Sequence, residues 1–136
     1  MYKEENKTTV LNAYDLSTKK NTTALYELYD PGYIEHTRNG DISLEQLKQT
    51  TSMFFNAFPD CTFTVENMVA EGDKVAYQVT IRGTHQGAFM GIPPTGNKLE
   101  MRDTSIKRIV NGKFVESWGT MDSLSMMQQL GAMPKR

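Results

Sequence analysis

Apolar residues recur at helical spacing through the first part of this chain and at strand spacing through the rest. In Lys3–Ser17, Val10, Leu11 and Tyr14 lie three and four positions apart in a polar segment, which predicts a helix with one apolar stripe. Lys19-Lys20-Asn21 breaks the pattern, Leu25, Leu28 and Tyr29 restart it over Thr22–Tyr29, and Pro31-Gly32 ends it. After a short extended piece, Tyr33–Thr37, the run Ser43-Leu44-Glu45-Gln46 has the form of a capping box. It opens a helix over Leu44–Phe58 that carries Leu47, Thr51, Phe54, Phe55 and Phe58 and stops at Pro59.

From Thr62 the period changes to two. Thr62–Ala70 places Phe63, Val65, Asn67 and Val69 on one face, and Glu71-Gly72-Asp73 reads as a hairpin turn. Lys74–His85 follows with Val75, Tyr77, Val79 and Ile81 on one face. A Gly/Pro-rich loop, Gln86–Asn97, then leads to two strands, Leu99–Val110 and Lys113–Met121, joined by Asn111-Gly112. Asp122 precedes a last helix, Ser123–Leu130, and Gly131 sits where a left-handed C-cap belongs. Helices followed by an antiparallel meander define an α+β fold with four to five strands in an antiparallel sheet. The last strand alternates Phe114, Glu116, Trp118, Thr120 and Asp122 against Val115, Ser117, Gly119 and Met121. Polar and aromatic groups sharing one face suit a strand that lines a cavity. Apolar residues on both faces predict that the outer one meets a second subunit, giving a homodimer.

Composition narrows the function. At 136 residues the chain reads as a single domain, 1–136, with no repeat or linker. Fifteen Lys+Arg against sixteen Asp+Glu, with no basic stripe, argue against nucleic acid and anionic membrane as partners. One cysteine, Cys61, cannot form an internal disulfide and reads as a buried thiol. The polar start MYKEENKTTV and the lack of a long apolar run predict a cytoplasmic protein. His36 and His85 stand alone, without paired cysteines or a His-Glu-x-x-His motif, so no metal site is expected. There is no glycine-rich phosphate loop and no nucleophile motif with a paired base.

Several short pieces occur together in order: Tyr33-x-x-His36, Arg82-Gly-Thr-His85, Phe89-x-Gly-Ile-Pro-Pro-Thr-Gly96, and Trp118-x-x-x-Asp122 running into Gln129-Leu-Gly131. With this spacing the chain resembles the SnoaL-like polyketide cyclases, among the cone-shaped nuclear-transport-factor-like α+β domains. The resemblance implies a curved sheet wrapped by three N-terminal helices and a short C-terminal helix around an apolar pocket (a cystatin-like cone), in a dimer or larger oligomer. It also implies a cofactor-free intramolecular aldol closure, with the aspartate matching Asp122 as general acid/base.

Asp122 then has two readings. It is either a desolvated base in the pocket or the N-cap of the last helix. His85 and His36 are candidates to polarise a carbonyl or shuttle the proton. The pocket is expected to take Trp118, Arg82, Arg102, Asn67, Tyr14, Phe55 and Phe89. Arg102, Asp103 and Thr104 are consecutive on one strand, so at least one must enter the cone. Met121, Met126, Met127 and Met133 near the C-terminus suit either adaptable packing or a plastic lid. The function expected is proton transfer on a small apolar carbonyl compound by cyclisation, isomerisation or dehydration. Alternatives are hydrolysis in the same pocket and a non-catalytic domain that binds a small molecule or a partner.

Overall fold

The computed structural model describes residues 2–131, so Met133 lies outside the described residues. Helix α1 (Tyr2–Thr18) buries Val10 and Ala13, and a short α2 (Thr22–Tyr26) follows, capped by the Asn21 side chain. The predicted second helix overran by three residues, because Leu28 and Tyr29 join the sheet instead. The Leu28 carbonyl accepts from the Phe114 amide at 2.8 Å, and Tyr29 opens strand β1 (Tyr29–Thr37). Strand β2 (Gly40–Ser43) turns back on β1 and hands over to α3 (Leu44–Ala57). The capping box forms as expected: Ser43 Oγ accepts from the Gln46 amide at 3.3 Å, and Gln46 Oε1 accepts from the Ser43 amide at 2.8 Å.

Strands β3 (Thr62–Glu71), β4 (Lys74–Thr84), β5 (Lys98–Val110) and β6 (Lys113–Thr120) form the meander. Asn111 and Gly112 both take positive φ, 52° and 76°, which is the backbone a two-residue hairpin needs to match the strand twist. Helix α4 (Ser123–Gln129) closes the described chain, with Gly131 left-handed at φ 77° behind it. The six strands are ordered β2-β1-β6-β5-β4-β3. Six strands replace the expected four or five, and one pairing is parallel: β1 beside β6, with His36 opposite Trp118. The extended piece after α2 thus fills an edge that the meander leaves open.

The β4–β5 ladder runs without a register shift from Lys74↔Arg108 to Thr84↔Lys98. Its two neighbours are bulged. Glu66 is the extra residue in β3, between Val65↔Val79 and Asn67↔Gln78. Val115 is the extra residue in β6, between Ile109↔Phe114 and Arg108↔Glu116. Each bulge bends its strand and moves every later side chain to the opposite face. The sheet curves, and α1 and α3 pack across its inner side. The core between them includes Val10, Phe58, Val75, Val79, Leu99 and Phe114.

Candidate active site

The curved sheet and the helices enclose a cavity of about 220 Å³. Its walls are apolar and aromatic, with Phe54 and Phe55 from α3, Phe63 from β3 and Phe89 from the loop after β4. Two carboxyl groups and one ammonium share the lining: Glu35 from β1, and Asp103 and Lys107 from β5. On β5 the inward positions are Leu99, Met101, Asp103, Ser105, Lys107 and Ile109, apolar at both ends and polar in the middle. Asp103 fulfils the expectation that one of the three consecutive polar residues enters the cone.

Asp103 is half-buried, and its Oδ1 is buried with no hydrogen-bond partner among the described residues. Burial raises its carboxyl, as does the charge of Glu35, and Lys107 offsets this only in part, leaving it at about 6. Lys107 is 5% exposed. Its ammonium donates to Ser117 Oγ at 3.1 Å and to Tyr33 Oη at 3.4 Å, and lies over the Phe114 ring at 5.4 Å. Burial works against its charge, but the surrounding tyrosine oxygens and Glu35 outweigh it and keep the ammonium above its usual range. Tyr33 donates to Glu35 at 2.8 Å. Tyr14 lines the cavity, and its hydroxyl is 2.7 Å from that of Tyr77. Burial raises the Tyr14 phenol well above its ordinary value and lifts Tyr29 to about 12, so both stay protonated at neutral pH.

Tyr14, Phe55 and Phe89 therefore line the cavity. The other expected lining residues do not. Past the Glu66 bulge, Asn67 faces outward and donates to Gln78 at 2.8 Å. Past the Val115 bulge, Trp118 is on the outer face, stacked on His36 at 5.4 Å. Arg82 is paired with Glu100 at 2.8 Å, and Arg102 is exposed on the same outer side.

Of the two readings of Asp122, the geometry matches the cap. Its exposed carboxylate accepts from the Ser125 amide at 3.0 Å and is not part of the cavity lining. His36 is held on the outer face between Asp41 at 2.8 Å and Glu116 at 2.6 Å. His85 is fully buried and stacks on Phe58 at 5.4 Å. Its Nδ1 accepts from the Thr95 amide at 3.3 Å and meets the Thr95 hydroxyl at 2.9 Å, fastening the loop to the end of β4. The three named candidates are thus not brought together. Glu35, Tyr29 and Lys107 are not among the site residues expected from the sequence, although Lys107 is legible from the β5 alternation.

Residues 8–130 match the sequence profile of the SnoaL-like polyketide cyclases, and the chain belongs to that family. Among solved structures, AclR of Streptomyces galilaeus, provisionally assigned as a hydroxylase, is 27% identical with a TM-score of 0.92, covering 98% of this chain and 85% of that one. A protein from Jannaschia sp., provisionally assigned as a SnoaL-like polyketide cyclase, is 27% identical with a TM-score of 0.86, covering 97% and 95%. IdmH of Streptomyces antibioticus, provisionally assigned as a polyketide cyclase, is 31% identical with a TM-score of 0.82, covering 93% and 98%. No curated protein matches the chain.

As a cap, Asp122→Asn should leave the urea midpoint unchanged, whereas Asp122→Ala should lower stability by about 1 kcal/mol. For Asp103, the folded chain favours the protonated form. Its contribution is therefore present below the ordinary carboxylate range and is lost as pH rises through about 6. Asp103→Asn should be more stable than the native chain at pH 8, by at most about 3 kcal/mol, and the gap should close by about pH 4. Parallel melts across that range check it.

Proposed function

We propose that this chain is a cofactor-free proton-transfer enzyme for a small apolar carbonyl compound, acting by aldol-type cyclisation or a related isomerisation or dehydration. Asp103 takes the role of general base that the resemblance suggested for Asp122. The observation that carries this is the partnerless buried Oδ1 of Asp103 in an otherwise apolar cavity, on a carboxyl raised to about 6. A carboxylate tuned near the working pH is ionised enough to take a proton and basic enough to do so from carbon beside a carbonyl.

In this reading Oδ1 removes a proton from the carbon next to the carbonyl. The Tyr14 hydroxyl, backed by Tyr77 at 2.7 Å, donates to the carbonyl oxygen as negative charge develops on it. The resulting enolate attacks a second carbonyl carbon in the same molecule, and Asp103 returns its proton to the new alkoxide. In an isomerisation the proton returns to a different carbon. A cavity of about 220 Å³ exceeds the ~150 Å³ that admits benzene, which suits a compound of one or two rings.

The test is deuterium exchange into the α-carbon of 2-tetralone, followed by NMR. The native chain should exchange faster as pH rises through about 6, and Asp103→Asn should lose on the order of 100-fold or more. Native-level exchange in the Asn variant would retire Asp103 as the base. The engagement of Asp122, His36 and His85 in structural hydrogen bonds favours one second reading, a non-catalytic binding domain. Binding of 2-tetralone with no exchange at any pH would select it.

A homodimer through the outer sheet face is supported by exposed Ile34, Val69, Ile106 and Val110 on that side. Light scattering should give twice 15.4 kDa at micromolar concentration, and a monomer mass would refute it. A cytoplasmic location is supported by the free, buried Cys61; no helix among the described residues is long and apolar enough to cross a membrane.

A further inference from the structure

The Lys107 ammonium has three N–H donors and two acceptors, Ser117 Oγ and Tyr33 Oη, both neutral. No carboxylate comes within 4.0 Å of it among the described residues, and the residue is 5% exposed. Burying a cation without a direct counter-ion costs desolvation, which here is offset only at longer range, by Glu35 and the surrounding tyrosine oxygens. Lys107 nevertheless lines the cavity, four residues along the same strand from Asp103.

We propose that Lys107 forms an oxyanion subsite, and that the ligand is a small ring compound with an enolic or phenolic oxygen bound there as its anion. The proposal rests on the proton-transfer reading for the reaction it serves, though not for the binding itself.

The charges around the cavity favour this ligand over a carboxylate. Glu35 from β1 and Asp103 from β5 share the lining with Lys107, and the remaining titratable groups facing the ammonium are the phenols of Tyr29, Tyr33 and Tyr77. A permanent anion would bring a third negative charge to a site with one positive charge. A neutral enol or phenol enters without that penalty and passes its proton to the Asp103 carboxylate. The O–H bond breaks, a carboxylic O–H forms, and the charge that leaves Asp103 reappears on the ligand oxygen beside Lys107. The total charge of the cavity is unchanged by the transfer. Abstraction from carbon redistributes charge in the same way, with the enolate oxygen as its destination.

The test titrates 2-naphthol into the protein at pH 7 and reads the naphtholate absorption band. In the native chain the bound probe should ionise at least tenfold more readily than free probe. Lys107→Met should abolish that shift. Lys107→Gln serves as the second variant should the Met chain fail to fold. Neutral naphthol bound to the native chain, or an ionised fraction unchanged in the folded variants, would overturn the proposal. So would benzoate binding as tightly as naphthol. Ketone exchange without naphtholate would remove this subsite and leave the proton-transfer reading standing. Naphtholate without exchange would keep the subsite and remove the reaction.

Discussion

Everything in the site depends on the unshifted ladder between β4 and β5. From Lys74↔Arg108 to Thr84↔Lys98 the pairs succeed one another without a bulge, so side chains alternate strictly between the two faces. That alternation puts Val75, Tyr77, Val79 and Ile81 beside Met101, Asp103, Ser105 and Lys107 on the inner face. A slip of one residue would turn Asp103 and Lys107 outward and bring Arg102 and Arg108 in. The hairpins at Gly72 and at Asn111-Gly112 guard against this from the two sides of the ladder. Curvature is introduced in the flanking strands, at Glu66 and Val115, where it bends the sheet without disturbing the central register.

Inside the curve, apolar packing surrounds a few groups that packing alone would not choose. Asp103 is held above its ordinary range by burial and by Glu35, and Lys107 is deeply buried with hydroxyls rather than a carboxylate against it. Both charges lie on a rigid central strand, which fixes their relative position better than a loop would. The helix side supplies Tyr14, tied to Tyr77 across the core, and the aromatic wall of α3. The buried stack of His85 on Phe58 fastens the loop that carries Phe89 over the same cavity. These contacts set a few polar groups in an otherwise apolar and aromatic wall, which is how small-molecule sites combine orientation with affinity.

The outer face of the sheet has a different chemistry. Residues turned outward there form a network in which Glu116 accepts from His36 and from Arg108, and Arg108 also approaches Asp73 at 3.8 Å. Trp118 stacks on His36, with the Lys74 ammonium 5.9 Å from its ring. Exposed aliphatic side chains are interspersed with these charges. Such a mixed face contrasts with the inner one, where Glu35, Asp103, Lys107 and the tyrosine hydroxyls share the cavity.

The sequence by itself determined the local grammar. The capping box at Ser43, the Asn111-Gly112 turn, the Asp122 cap position and the clean alternation of β4 are each set by neighbours a few residues away, so the α+β class and most element positions were legible. Tyr14 and Phe55 lie on the apolar stripes of their helices, and Phe89 opens the loop motif that carries the family resemblance. The alternation of β5 held Asp103 and Lys107 in plain view, but the Trp118-x-x-x-Asp122 ending drew the site toward the last strand instead. Only the tertiary structure decided which way that ending faces. A bulge adds one residue to a ladder, and its position depends on the partner strand and on the curvature the helices must cover. Neither Glu66 nor Val115 has a local signature for it. The parallel pairing of β1 with β6 is likewise a contact between segments some eighty residues apart. Those long-range choices moved Asn67 and Trp118 out of the cavity and left Asp103 and Lys107 within it.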